Sequence, residues 1–189
     1  HSWTIDTGPL VESNESIWVE IDQALGKGKV EVAAGVLRWH LEYVSRHLAD
    51  LLGASPQFRA DGGYELGDLL PSVMSRMKKL LGEAANAAQS WGDTVKRDAA
   101  AGHKDAVSKS KGAADMEQWA VNKAVHYNEW ANLGKKDFEP VVAAYKEFLE
   151  RFRCATCESW LYVEPKRGSP TALRCDCTAF NFNLKTKAK

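Results

Sequence analysis

The chain has 189 residues, 44% of them hydrophobic, and its basic and acidic residues balance to a formal net charge of zero. This composition is that of a globular protein, and the zero net charge argues against one that coats nucleic acid through bulk electrostatics. No apolar run approaches the roughly 18 residues of a membrane-spanning helix, and no signal sequence follows His1. We therefore expect a cytoplasmic protein with no membrane partner. The missing initiator methionine suggests a fragment of a longer protein.

The first residues predict a short strand. Apolar and polar side chains alternate from Trp3 to Thr7, and Gly8-Pro9 then predicts a turn. A single strand needs a partner elsewhere in the chain or in sequence that precedes it. We therefore assign residues 1–12 to the strand remnant of an upstream domain.

Residues 13–153 are predicted to form a helical bundle, because apolar side chains recur at spacings of three and four. Asn14 is expected to cap the first helix and Asp137 the fifth. The faces expected to be buried on the second, third and fifth helices are Val30, Ala33, Ala34, Leu37, Leu41, Val44, Leu48, Leu51 and Leu52, then Leu69, Val73, Met77, Leu80 and Leu81, then Phe138, Val141, Val142, Tyr145, Leu149 and Phe152.

The stretch from Trp91 to Asp115 is poor in large apolar residues and rich in alanine, lysine, serine and glycine. Such a stretch buries little surface, so we expect either an exposed extension of a helix or a mobile linker. Met116, Trp119, Val125 and Trp130 then support a fourth helix.

The four cysteines fall in two pairs, Cys154-x2-Cys157 and Cys175-x-Cys177. Two thiolates this close can point to one side of a turn, and two turns supply the four corners of a tetrahedral Zn²⁺ site. The single residue inside the second pair departs from the commoner spacing of two. Free cysteines, a disulfide and an iron–sulfur cluster are the alternatives, and the paired spacing in a chain with no export signal favours zinc. Four thiolates leave no open position for water, so the ion is expected to be structural.

The sequence around the cysteines fits a small β ribbon. Residues 160–163 are strand-like, 166–170 are turn-like, and 171–174 lead back to the second pair. The alternation of Phe180, Phe182 and Leu184 could add a third strand. We therefore assign residues 154–189 to a zinc ribbon, so the predicted fold class is mainly α with a C-terminal β ribbon.

The C-terminal part of the chain is basic, with eight basic and three acidic residues from position 151 onward. One interpretation is contact with DNA or RNA through Arg153, Trp160, Lys166, Arg167 and Arg174, since tryptophan stacks on bases and arginine and lysine pair with phosphates. The other is that these cations neutralise the negative charge of a four-thiolate zinc site.

One helical segment resembles the active-site helix of HEPN-type ribonucleases. It is Asn122-x3-His126, but Val121 occupies the position of the family's arginine. Arg97 and His103 match only a looser form of the motif, which chance also produces. The resemblance implies, as an alternative function, a HEPN-like domain of a defence or toxin system that is inactive as a ribonuclease.

Several segments taken in order look like the region that follows the ATPase head in bacterial ABC-type (AAA family) ATPases related to RecF and SMC proteins. They are Ser2-Trp3, Gly8-Pro9, Trp18, Leu25, residues 33–42, 64–70 and 122–132, and Phe152-x-Cys154-x2-Cys157-x2-Trp160. The chain has no nucleotide-binding motif, so we expect no catalytic residues here and ATPase activity only in a longer parent protein.

The ATPase resemblance implies a non-catalytic, zinc-binding accessory module that serves DNA repair or anti-phage defence. The partners it implies are an upstream ATPase or another domain of the same protein, and DNA or RNA. A homodimer is also left open.

Overall fold

The structure is a computed structural model that describes residues 3–4, 8–9, 14–60, 62–125, 134–165 and 168–188, with only the backbone described for 3–4, 8–9, 14–16 and 111–125. The helices are α1 (Asn14–Gly26), α2 (Val30–Leu52), α3 (Leu66–Ser90), α4 (Thr94–Val125) and α5 (Lys135–Glu150). The strands are β1 (Trp3–Thr4), β2 (Gly8–Pro9), β3 (Tyr162–Glu164), β4 (Ala172–Arg174) and β5 (Asn181–Asn183). The prediction of a mainly helical chain that ends in a small sheet is confirmed.

The N-terminal strand has its partner within the chain. β1 pairs antiparallel with β2, so that Trp3 lies opposite Pro9 and Thr4 opposite Gly8. The prediction of a turn at Gly8-Pro9 is therefore wrong, because these two residues form β2. The assignment of residues 1–12 to an upstream domain stays a prediction.

The segment after Trp91 forms a helix of its own. The backbone N–H of Asp93 donates to the carbonyl of Ala88 at 2.9 Å and Gly92 has a positive φ of 76°, so α3 ends in a Schellman turn. Asp93 then caps α4, since its Oδ1 accepts a hydrogen bond from the N–H of Lys96 at 2.9 Å. The predicted fourth helix is present, but it begins at Thr94 rather than near Met116, because the alanine-rich stretch has a high helix propensity and is itself part of α4. Of the two alternatives for that stretch the helical one is therefore correct, and Trp130 lies outside the described residues.

Asp137 acts at the start of α5, but from inside the helix. Its carboxylate Oδ2 accepts a hydrogen bond from the N–H of Gly134 at 3.0 Å, and its own N–H donates to the Gly134 carbonyl at 3.0 Å. Asp137 is therefore not the N-cap residue. From the first turn its carboxylate accepts the N–H of the preceding Gly134, as the third residue of a helix does in a capping box.

The chain divides into two compact units, His1–His40 with Glu117–Val142, and Leu41–Met116 with Ala143–Lys189. In the first unit His40 is buried, and its ring packs edge-on against Trp18 at 5.3 Å. The apolar faces of α2, α3 and α5 are buried as predicted, α3 in the second unit and α2 and α5 in part in each unit. Of all the residues predicted for the three buried faces, only Val30 is half-buried rather than buried.

The C-terminal sheet belongs to the second unit. Its strands are antiparallel in the order β3-β4-β5, and the register aligns Val163, Leu173 and Phe182 in one row. All three side chains are buried, and Phe182 packs with Ala84 of α3 and Ala100 of α4. The sheet therefore contacts α3 and α4 through Phe182 of its third strand.

Among the described residues, no helix has both the length and the apolar character needed to cross a membrane.

Candidate metal centre

The first cysteine loop comprises residues 154–159 and begins four residues after the end of α5. The N–H of Cys154 donates to the carbonyl of Ser159 at 2.9 Å, and the N–H of Glu158 donates to the carbonyl of Cys154 at 2.9 Å. Arg153 and Trp160 pair as an antiparallel bridge on either side. The loop is thus a tight hairpin that presents Cys154 and Cys157 together.

The second cysteine loop comprises residues 175–180 and joins β4 to β5. The N–H of Cys175 donates to the carbonyl of Phe180 at 2.9 Å, and Arg174 pairs with Asn181. In both loops the first cysteine therefore bonds to the residue five positions later, and the flanking pair lies seven positions apart. The irregular spacing of the second pair is compensated within the loop, because one residue fewer before Cys177 is matched by one more after it.

The two loops also share a backbone feature. Glu158 and Thr178 each follow the second cysteine of their loop, and they have positive φ values of 56° and 63°. The left-handed region is costly for side chains other than glycine, above all for a β-branched residue such as threonine. Both loops therefore have local backbone strain at the residue that follows the second cysteine.

The four sulfur atoms converge at one point. They lie within 4.8 Å of one another, with Sγ–Sγ distances of 3.7 Å between Cys154 and Cys177 and 3.5 Å between Cys175 and Cys177. No two of the four cysteines form a disulfide, and these distances far exceed the roughly 2.05 Å of an S–S bond. Four thiolates about 2.3 Å from one ion lie about 3.8 Å apart at the corners of a tetrahedron. The cluster therefore fits a single metal ion.

Hydrogen-bond donors surround the sulfurs. The N–H of Thr156 donates to Cys154 Sγ at 3.4 Å, and the N–H of Phe180 donates to Cys175 Sγ at 3.3 Å. Ser159 Oγ lies 3.1 Å from Cys157 Sγ and accepts a hydrogen bond from the N–H of Asp176 at 3.2 Å. Ser159 thus connects the two loops, a role that our sequence reasoning missed. The sequence holds no signal for this role, because no motif links Ser159 to Asp176.

These contacts separate the acidities of the thiols. The hydroxyl and the N–H of Ser159, together with Cys177, lower the pKa of Cys157 to about 6. The N–H groups of Cys157 and Thr156 lower the pKa of Cys154. The N–H of Ala179 lowers the pKa of Cys177, but Cys157, desolvation and the two other cysteines outweigh it and raise that pKa to about 12. Crowded sulfurs cannot all ionise without a cation among them, so metal binding must release protons.

All four predicted ligands therefore come together in a group that could hold a metal ion. Comparison of the chain with protein families, curated proteins and solved structures finds no match. The interpretation of the centre accordingly rests on its geometry and on its donor atoms.

The residues predicted to contact nucleic acid are partly engaged within the protein. The Arg153 guanidinium lies 4.3 Å from the centroid of the Trp160 ring, and the His47 ring lies edge-on to Trp160 at 6.5 Å. Arg174 forms an ion pair with Glu164. Lys166 and Arg167 lie outside the described residues.

The HEPN-like residues do not form a site in the described part of the chain. Asn122 lies in the backbone-only part of α4, and His126 is outside the described residues. Arg97 pairs with Asp98 at 2.8 Å, whereas the Nε2–H of His103 donates to the carbonyl of Arg151 at 2.9 Å. Positions six apart on a helix point in different directions, so these two side chains do not converge.

Proposed function

We propose that the protein is a non-catalytic accessory module whose C-terminal sheet is held in place by one structural zinc ion. The observation that carries this proposal is the convergence of four cysteine sulfurs within 4.8 Å. A tetrahedral set of four thiolates suits zinc or iron. Because the four sulfurs lie around one point, they would hold a single ion rather than the several irons of a cluster. With four protein ligands the ion has no open position for a substrate.

The ion would stabilise more than its own two loops. It would tie the residues that follow α5 to those between β4 and β5, and β5 carries Phe182 against α3 and α4. A sheet of three strands with three residues each buries too little surface to persist alone. The metal would therefore fix the sheet on the second unit.

Segments of the sequence that resemble RecF- and SMC-type ATPases, such as residues 33–42 and 64–70, are the support for a wider role of this module. We propose that it serves a DNA-associated bacterial ATPase of DNA repair or anti-phage defence, through contact with protein or nucleic acid. The basic C-terminal part of the chain and the absence of an open metal position are consistent with contact rather than catalysis.

Metal analysis of the purified protein tests the zinc proposal. We expect one zinc per chain, no visible absorption from iron, and release of the metal to a strong chelator with exposure of backbone amides in residues 154–188. Calorimetry should detect no ATP binding. Bound iron, or a sheet whose amides stay equally protected after complete chelation, would contradict the proposal.

A further inference from the structure

A second feature of the C-terminal sheet lies away from the cysteines, where β5 and the residues after it meet the turn between α3 and α4. A cavity of about 150 Å³ lies there. Its apolar lining includes Ala84, Ala88 and Phe182, and Trp91 stands beside it. Pockets for whole small molecules measure about 300 to 1,000 Å³, so this cavity has room for one flat ring rather than for a complete ligand.

Trp91 is held in place although it is exposed. Its side chain is 56% exposed, while its Nε1–H donates to the carbonyl of Lys185 at 3.0 Å. The neighbouring Ser90 accepts a hydrogen bond from the N–H of Lys187 at 2.9 Å through its Oγ. Hydrogen bonds to Ser90, the last residue of α3, and from Trp91, which follows it, therefore fix the chain after β5 beside an exposed indole. A fixed aromatic surface of this kind loses little entropy when a base stacks on it.

The surroundings of Trp91 are positively charged. Lys96 lines the cavity, Lys185 and Lys187 are exposed, and Lys187 Nζ lies 5.9 Å from the centroid of the indole. The acidic group in the cavity wall is Asp93, whose carboxylate already accepts the N–H of Lys96 at the start of α4. Lys187 thus places an ammonium group near the ring and Lys96 adds positive charge at the cavity, which complements a chain that carries both bases and phosphates.

The cavity also contains a polar group suited to a base edge. Asn183 lines it, and its Oδ1 accepts the N–H of Lys185 at 2.9 Å. The amide nitrogen of the same side chain can donate to a carbonyl or ring nitrogen of a base.

We propose that Trp91, Lys96, Asn183, Lys185 and Lys187 form a binding site for single-stranded nucleic acid, in which one base enters the cavity beside Trp91 and the lysines contact the phosphates. This site is separate from the residues first considered for nucleic-acid contact around Trp160. It rests on the proposed function only in that it names the partner of the accessory module. A duplex keeps its bases stacked and paired, so the site should prefer single strands.

Fluorescence anisotropy with labelled oligo-dT and oligo-rU, a duplex of equal length, and poly-glutamate as competitor tests the proposal. We expect saturable binding of the single strands and weaker binding of the duplex. Poly-glutamate should compete less well than an unlabelled single strand does. Trp91→Ala should weaken binding roughly 5- to 150-fold, the range for loss of one stacked base, and Trp91→Phe should retain most of it. Phe58→Ala removes another exposed aromatic ring and is the matched control, which should leave the affinity unchanged. Trp160→Ala tests the residues first considered for nucleic-acid contact.

Lys96→Glu separates binding from folding. Glutamate at this position completes a capping box with Asp93, so the helix should be at least as stable, while oligonucleotide affinity should fall. Lys187→Ala should reduce the slope of log affinity against log salt by about 0.7, the value for one phosphate contact on a single strand.

Zinc content is measured for every variant, so that failure of the metal centre is seen separately from failure of this site. No saturable binding by the zinc-loaded wild type, equal competition by poly-glutamate, or loss of binding in Trp160→Ala but not in Trp91→Ala would overturn the proposal.

Discussion

The two cysteine loops have the same length and the same closing hydrogen bond, but their second cysteines stand at different positions. Each loop bonds its first cysteine to the residue five positions later and places a left-handed residue after its second cysteine, Glu158 or Thr178. Yet the second cysteine is the fourth residue of the first loop and the third residue of the second loop. The length of a loop therefore defines a metal hairpin more closely than the spacing of its cysteines does.

The chemistry of the two loops differs as well. In the first loop the pKa of Cys157 is lowered to about 6 by the hydroxyl of Ser159, whereas in the second loop the pKa of Cys177 is raised to about 12, chiefly by Cys157. Cys157 is thus ready to bind as a thiolate, whereas the arriving metal must displace the proton of Cys177 into solvent. Cys177 is also the exposed member of the set. We expect the second loop to complete the metal site and the first loop to begin it.

Loss of a buried cysteine should have the largest effect. Structural zinc supplies an apparent 10 to 16 kcal/mol in small zinc domains, so Cys175→Ser should abolish stoichiometric zinc and expose the amides of residues 154–188 to hydrogen exchange. Cys177→Ser should weaken zinc binding less, because water can reach the ion from its exposed side. The far-UV helical signal should change little in either variant, since the helices of the second unit bury apolar faces of their own. Equal zinc loss in both would contradict the proposed difference between buried and exposed ligands.

The helical faces and the metal ligands were predictable because their signals are local and repeated. The spacing of apolar residues in α2 predicts its buried face from Ala33 to Leu52, and paired cysteines predict their own convergence. β2 was not predictable, because Gly8-Pro9 has the composition of a turn and pairing depends on where the chain reverses. The start of α4 stayed open between a helical extension and a linker, because alanine favours a helix without marking a face.

Ser159 and Trp91 could not be assigned from the sequence for another reason. Each acts through a partner that is distant along the chain, Asp176 for Ser159 and Lys185 for Trp91. No periodicity or motif connects such positions. Their roles follow only from the hairpins and from the packing of β5 on α3.

Removal of the Ser159 hydroxyl should produce the next largest effect, because outer-shell partners typically contribute 10- to 100-fold to metal affinity. The hydroxyl favours the thiolate of Cys157, so Ser159→Ala should raise that pKa and let protons compete better with zinc. The affinity deficit should widen as pH falls from about 9, the ordinary thiol value, toward about 6, and then stop widening because Cys157 is protonated in both proteins. Competition with a chromophoric chelator at several pH values measures this.

Thr156→Ala is the control for Ser159→Ala. It removes an exposed hydroxyl from the same loop, while the backbone N–H that contacts Cys154 stays in place. Its zinc affinity should match the wild type. A deficit in Ser159→Ala that does not vary with pH would exclude the proposed effect on the acidity of Cys157.

Glycine after the second cysteine should stabilise both loops. The left-handed conformation costs a residue with a side chain about 1 to 2 kcal/mol, and glycine removes this strain. Part of the gain in stability is lost, because glycine gives the unfolded chain more conformational entropy. Thr178→Gly should therefore raise the unfolding free energy by roughly 0.5 to 1 kcal/mol, and Glu158→Gly by less, because glutamate is not β-branched. Both side chains are exposed, so little packing is lost. Denaturant unfolding of the zinc-loaded protein measures the change, and Ala155→Gly, which has no positive φ, should lose stability instead.

The smallest effect concerns His103, which joins the second loop to the helices through its edge-on contact with Phe180 at 5.1 Å. Burial lowers the pKa of His103, although its hydrogen bond to the Arg151 carbonyl opposes that shift. The folded protein therefore binds a proton at this ring less readily than the unfolded chain does. The stability that this histidine contributes is complete above the ordinary histidine pKa near 6.5 and declines as pH falls toward the lower folded value.

His103→Gln keeps an N–H donor but does not titrate, so acidification from pH 7.5 to 5.5 should destabilise this variant less than the wild type. Unfolding midpoints of both zinc-loaded proteins at the two pH values give the difference, in which the acid sensitivity of the cysteines cancels. An equal loss in both proteins would mean that the His103 ring titrates alike in the folded and unfolded chain.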